Sequence, residues 1–167
     1  MTIKAVMILL GDIIQKYMSL EDDQIVLYSS DWKMPNDDRI YIIISYSGTS
    51  QNVLNLKSEF NSTDNTETMS MAAHERFTID IMQSGDEILE TVQKIFFALK
   101  CQNSISLQEM NNISIWREGR AIDLTAIEGA GALRRYQIPV IISNVQSNKS
   151  AVDYFDKFTQ PQINTED

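Results

Sequence analysis

Residues 75–101 read ERFTIDIMQSGDEILETVQKIFFALKC. In the first ten, Phe77, Ile79 and Ile81 alternate with Thr78 and Asp80, the period of a half-buried strand. In the remainder, Ile88, Leu89, Val92, Ile95, Phe96 and Leu99 recur three and four apart, the buried stripe of a helix. Between the two, Ser84-Gly85-Asp86-Glu87 has the spacing of a capping box. There the serine takes the amide three residues on and the glutamate reaches back. The pattern predicts a strand over Glu75–Ser84 feeding a well-capped helix over Asp86–Cys101.

Two further strands frame this junction. Over Arg39–Tyr46, Ile40, Ile42, Ile44 and Tyr46 share one face while Tyr41 and Ile43 occupy the other, as expected of a central strand covered on both sides. Ser47-Gly48-Thr49-Ser50 then breaks the alternation. The polar stretch that follows, centred on residues 61–67, reads as a long mobile loop over Ser62–Ala73, ordering only against a partner. Over Arg135–Val145, Tyr136, Ile138, Val140 and Ile142 alternate on one face. Pro139 lacks a ladder donor, which predicts an edge strand or a bulge.

The remaining segments follow the same logic. Ile3, Val6, Met7, Leu10, Ile13, Ile14, Tyr17 and Met18 give Ile3–Met18 the stripe of an amphipathic helix, with Gly11 costing about 1 kcal/mol relative to alanine and a possible kink. Gln24–Tyr28 reads as a short first strand, and Pro35-Asn36-Asp37-Asp38 is turn chemistry. Ile113–Arg117 is a further short strand, with a turn at Glu118-Gly119-Arg120 and an ambiguous stretch over Asp123–Leu133. The fold class is therefore α+β: a mostly antiparallel sheet with a long helix and an N-terminal helix packed on it. Residues 1–150 form a single domain, and 151–167 form a C-terminal segment.

Composition narrows the classes of function. At 167 residues with 43% apolar content the chain can bury one core without staples. Its net charge is −9, from 23 acidic and 14 basic residues, which argues against a protein that wraps nucleic acid. It suits a surface that nucleic acid passes without sticking. Cys101 is the one cysteine, so neither an internal disulfide nor a cysteine zinc site is available. Lys4 and the apolar residues after it briefly resemble a signal peptide. Asp12 ends that run without a cleavage site, so the chain reads as soluble and unexported. No stretch approaches the roughly 20 apolar residues needed to span a bilayer.

Recognisable chemistry is missing. His74 precedes Glu75, but without a second histidine there is no HExxH site. Glu128-Gly129-Ala130-Gly131-Ala132 lacks the spacing of a phosphate loop, and Asp22-Asp23 and Asp37-Asp38 lack that of a calcium loop. All read as turns or connections. Asn61, Asn112 and Asn148 open glycosylation sequons, which have no consequence without export. No GxSxG elbow supports a serine nucleophile. The one concentration of positive charge is Arg117, Arg120, Arg134 and Arg135. These read first as solvated strand ends, next as forks meeting carboxylates of a neighbouring copy, and last as a nucleic-acid contact. Tyr154, Phe155 and Phe158 read as core residues or as a dock onto an adjacent subunit.

The order of elements resembles the tail-terminator and neck proteins of tailed bacteriophages. The likeness runs from Glu75–Ile81 through the helix to the late strand Arg134–Ile142, which leads into Asp153-Tyr154-Phe155. It implies an α/β subunit of a ring, typically six-fold, that stops growth of the tail tube and joins the tail to the head connector. The partners it implies are further copies of the chain, the tail tube protein, and a connector or other neck protein. DNA would pass only through the lumen, and no membrane or cofactor is involved. It places the protein in the virion, assembled in the host cytoplasm, with a mechanical rather than catalytic role. The residues read here as contacts are Arg117, Arg120, Arg134, Arg135, Asp153, Tyr154 and Phe155, together with the Ser62–Ala73 loop, which departs from the family pattern and reads as an arm toward a tube or a neighbouring subunit. A head-completion protein, a monomeric adaptor or chaperone, and an enzyme with an unrecognised site are the alternative readings.

Overall fold

The N-terminal helix α1 (Ile3–Met18) is closed at its start by Thr2, whose hydroxyl accepts from the Ala5 amide at 3.2 Å, and at its end by Ser19 at φ 56°. Val6, Leu10, Ile13 and Ile14 form its buried stripe. The computed structural model describes residues 2–28, 32–33, 35, 37–85, 87–117, 119–125 and 133–151, the side chains of 49–56, 117, 133 and 146 excepted. The helix runs unbroken through Gly11, which lies against the sheet. A Cβ there would meet the Ile25 methyl at 2.9 Å, so glycine is set by close approach and not by a kink.

The described residues form six strands: β1 (Ile25–Leu27), β2 (Tyr41–Asn61), β3 (Thr66–Ser84), β4 (Ile113–Arg117), β5 (Ile122–Asp123), which the patterning did not predict, and β6 (Leu133–Ala151). They lie in one sheet of order β1-β2-β3-β6-β4, with β5 pairing β6. Among the described residues only β1 against β2 is parallel. The register aligns apolar residues across the sheet, with Ile42 opposite Ile81, Ile44 opposite Ile79, Ile79 opposite Ile138 and Phe77 opposite Val140. Tyr46 meets Phe77 edge-on, ring centroids 5.4 Å apart. Helices α1 and α2 (Ile88–Lys100) cover this face and join its residues in one core. Each isoleucine so buried contributes roughly 1.5–3 kcal/mol. The fold is α+β, as the patterning predicts.

Several expectations need correction. The alternation break at Ser47–Ser50 does not end β2. Gly48, at φ 135°, absorbs a register shift after Tyr46, and the strand resumes. The Ser62–Ala73 loop is mostly strand, since only residues 62–65 form a turn and β3 begins at Thr66. The capping box does not form. Ser84 stays in the ladder opposite Leu133, Gly85 turns at φ 84°, and α2 starts after Glu87 with no side-chain cap. Thr91 Oγ1 instead donates to Gln83 Oε1 at 2.7 Å, tying the helix to the strand end. A third helix, α3 (Gln102–Met110), follows at once and has no counterpart in the patterning, because Ser104 is its one buried residue. β6 is an inner strand, and no register shift interrupts its pairing with β3 at Pro139. Pro139 falls between the stretches paired by β5 (Tyr136 and Gln137) and β4 (from Val140), so on that side it stands at a local edge.

Candidate assembly surfaces

The long polar stretches of β2, β3 and β6 stay paired to their ends, with Asn61 opposite Thr66 and Thr66 opposite Ala151. Helix cover does not extend that far, since β3 carries no fully buried residue before Ala73. The result is a three-stranded arm, residues 57–61, 66–72 and 145–151, reaching about 24 Å beyond Ala73 at the rise of a strand. Its face is continuous with the helix-covered face, because directly opposed residues point the same way. Phe60 opposes Glu67 and Ser58 opposes Met69, which puts Phe60, Met69 and Met71 on that side. Phe60 is 49% and Met69 39% exposed. Polar links hold the ribbon: Ser58 to Glu67, Ser70 to Ser147 at 3.0 Å, and Lys149 to Asp64 at 3.0 Å by the turn.

The two sheet edges differ. On β4, the Ile115 amide donates to Gln108 Oε1 at 2.8 Å and the Ile115 carbonyl accepts from Lys100 Nζ at 3.3 Å. Side chains thus occupy the groups a further strand would need. On the other side β1 pairs only Ile42–Ile44 of β2. From Ser45 to Asn61 the outer edge of β2 has no strand beside it among the described residues.

The arginines do not form one patch. Arg134 and Arg135 are consecutive in β6 and so point to opposite faces. Arg135 donates to Asp80 Oδ1 through Nε at 3.2 Å and Nη2 at 3.1 Å, and Gln137 Nε2 donates to the same oxygen at 3.1 Å. Arg120 is exposed just after Gly119, whose φ is 78°. Arg117 ends β4 opposite Val140, and its side chain lies outside the described residues. Asp153, Tyr154 and Phe155 also lie outside them. Arg134 faces the Asp123 neighbourhood. There hydrogen bonds from the Thr125 hydroxyl and amide hold the Asp123 carboxyl below its usual range, with smaller help from Tyr136 and Arg134.

A charged cluster escaped the sequence patterns. Arg39 reaches Asp23 at 2.9 Å, Asp37 at 3.0 Å and Glu21 at 3.2 Å, and its guanidinium lies 5.5 Å from the centre of the Tyr41 ring. Tyr41 donates to Asp37 at 2.8 Å. Desolvation raises the Asp37 carboxyl, but hydrogen bonds from Tyr41 and Arg39 outweigh it and leave the group below its usual range. One aspartate of each pair read as a turn, Asp23 and Asp37, joins Glu21 as a carboxylate of this clamp, while Asp22 accepts from Gln15 instead.

His74 Nδ1 lies 2.7 Å from Ser143 Oγ across the β3–β6 ladder, while Glu75, the next residue, points to the helix face. The two cannot act on one substrate atom. Among the described residues no group of three or more His, Cys, Asp or Glu could hold a metal ion, and no helix is long and apolar enough to cross a membrane.

No protein-family model matches the sequence, and no curated protein does. Among solved structures, the chain is similar to the sheath/tube terminator of an extracellular contractile injection system, PVC, determined in its extended state by cryo-electron microscopy. The TM-score is 0.52 and the identity 12%, over 99% of this chain and 66% of that one. This chain thus spans just under two thirds of the terminator's length. The likeness is one of fold, and this chain has a terminator-like fold.

Proposed function

We propose that this chain is a structural subunit that assembles into a ring, six-fold in the simplest case, at the end of a tail tube. The ring stops tube growth and, in a phage, joins the tail to the head connector. Its partners are other copies of itself, the tube protein and a neck protein, and its work is mechanical rather than catalytic. The observation that carries this reading is the three-stranded arm. A ribbon about 24 Å long with Phe60 and Met69 exposed on one face buries too little by itself to justify its ordering, and a neighbouring subunit can cover it. The open outer edge of β2 offers such a neighbour a ladder to complete. The fold shared with a tube terminator across 99% of this chain supports the same assignment. A net charge of −9 suits a lumen that DNA crosses without binding.

Electron microscopy of the purified protein at high concentration tests the reading. Closed rings with a central lumen are the expected particles. Open filaments or featureless monomers at every concentration would contradict it.

A further inference from the structure

The arm has a second open edge. β4 pairs β6 only from Val140 to Asn144, and among the described residues no strand lies beside β6 on that side from Val145 to Ala151. Alternate residues of a strand turn their amide and carbonyl to opposite sides. The Arg135 carbonyl accepts from the Leu124 amide on the β5 side at 2.9 Å, and no register shift interrupts β6 along β3. Val145, Ser147, Lys149 and Ala151 therefore hold their backbone groups out to the free side. Pro139 falls in the same set, so its missing amide costs no bond to β3. On β2 the Ile44 carbonyl accepts from the Tyr28 amide on the β1 side at 2.9 Å. Ile44 stands opposite Ile79, so the even-numbered residues of β3 are the ones turned to β2. In the arm these bond Lys57, Glu59 and Asn61, which leaves the backbone groups of Ser58 and Phe60 turned outward.

We propose that the β2 edge of one copy's arm pairs in parallel with the β6 edge of the next copy's arm, joining the arms into one continuous sheet. The proposal rests on the ring reading and names the ladder between its subunits. Strand direction decides the pairing. β2 and β6 both run antiparallel to β3, and so parallel to each other. A ring repeats one contact head to tail, which brings β2 of each copy to β6 of its neighbour in parallel and leaves no arm edge open. A two-fold contact of β2 on β2 would leave both β6 edges unpaired. The two edges cannot satisfy each other within one chain, because three strands are too few to close into a barrel. Charge agrees with the assignment. Glu59, Thr68 and Lys149 stand in one row, so unstaggered pairing sets Glu59 of one copy beside Lys149 of the next. The β4 edge shows the contrast, since Gln108 and Lys100 block it with side chains.

Disulfide trapping in the full-length protein tests this, on a Cys101→Ser background. Lys57→Cys, Glu59→Cys or Asn61→Cys on β2 is combined with Ser147→Cys, Lys149→Cys or Ala151→Cys on β6, positions that share one face. Within a chain the two strands lie about 9.6 Å apart across β3, beyond the roughly 7 Å that a disulfide spans, so a bond joins only separate copies. Mild oxidation of at least one combination should give a reducible ladder of covalent multimers, and its two single-cysteine parents should give none. Ser147→Pro removes one outward amide and leaves the β3 ladder intact. It should raise the concentration needed for assembly about tenfold or more, with the melting temperature within a few degrees of the parent. Ser147→Ala, which loses only the hydroxyl contact with Ser70, should assemble as the parent does. Light scattering on the same samples separates the outcomes. A ring without these crosslinks, or one that Ser147→Pro leaves unchanged, overturns the edge pairing and leaves the ring reading standing. Dimers trapped by a single cysteine on β2 show a two-fold contact and overturn the pairing as well. A strict monomer overturns both. Crosslinked multimers that grow without a discrete mass uphold the edge pairing and contradict the ring.

Discussion

Asp80 lies on the face of the sheet opposite the helices, 4% exposed, with three donors converging on one carboxylate oxygen. Removing the guanidinium would leave a buried charge with only the Gln137 amide. Arg135→Ala is therefore expected to cost about 3 kcal/mol in urea unfolding, with Arg135→Lys recovering part of it; a loss below about 0.5 kcal/mol would show the pair to be incidental. Sequence could not assign this role, because Arg135 stands in a cluster that reads first as solvated strand ends and next as intersubunit forks. Only the register that sets Arg135 opposite Met82, two residues from Asp80, joins them. Gly11 shows the same dependence on packing. Gly11→Ala would gain about 1 kcal/mol in an isolated helix, yet its Cβ meets the β-branched Ile25 at 2.9 Å. Overpacking outweighs propensity, so the variant should melt lower than the parent. At Asp37 the folded-state pKa is lowered, so the folded form binds this proton more weakly than the unfolded chain does. Its contribution is present above the ordinary carboxylate value near 3.8 and fades as pH falls through the lower, folded value. Asp37→Asn should flatten that part of the acid-unfolding profile, and an unchanged profile would count against the Arg39 clamp.

The elements legible in sequence are those with one buried face. α1 appears with the bounds that its stripe predicts, and the strand cores around Ile42, Ile79 and Val140 lie where alternation puts them. The arm was read as a loop because both of its faces are largely solvated, so no apolar period marks it; its order comes from ladders on both sides of β3. α3 escaped for a related reason, since burying little more than Ser104 leaves no stripe to see. The capping box shows a local motif losing to the sheet, because Ser84 is held opposite Leu133 before it can reach the helix. If the arm serves assembly, its exposed apolar residues matter to the oligomer and not to the fold. The double variant Phe60→Ser, Met69→Ser should melt within a few degrees of the parent, since exposed substitutions cost about 0.5 kcal/mol or less. In sedimentation it should run as smaller species. A large drop in melting temperature with assembly intact would assign these residues to the core instead.

For the whole molecule, a single sheet carries both helices and arm. The helix-covered end supplies the packed core, the arm extends one face of it, and among the described residues no strand lies beside the outer edge of β2 beyond Ile44. Such a body has different surfaces at its two ends, as a ring joining two partners requires, and closed cyclic symmetry is the common way for one chain to satisfy an open edge. The measurement that bears most directly on this is the mass of the purified protein by light scattering across a concentration series. Six copies of the 19.1 kDa chain give a discrete species of about 115 kDa, stable on dilution, which is the predicted result for a closed ring. A mass of one subunit at every concentration, or one that climbs with concentration without reaching a plateau, would contradict it.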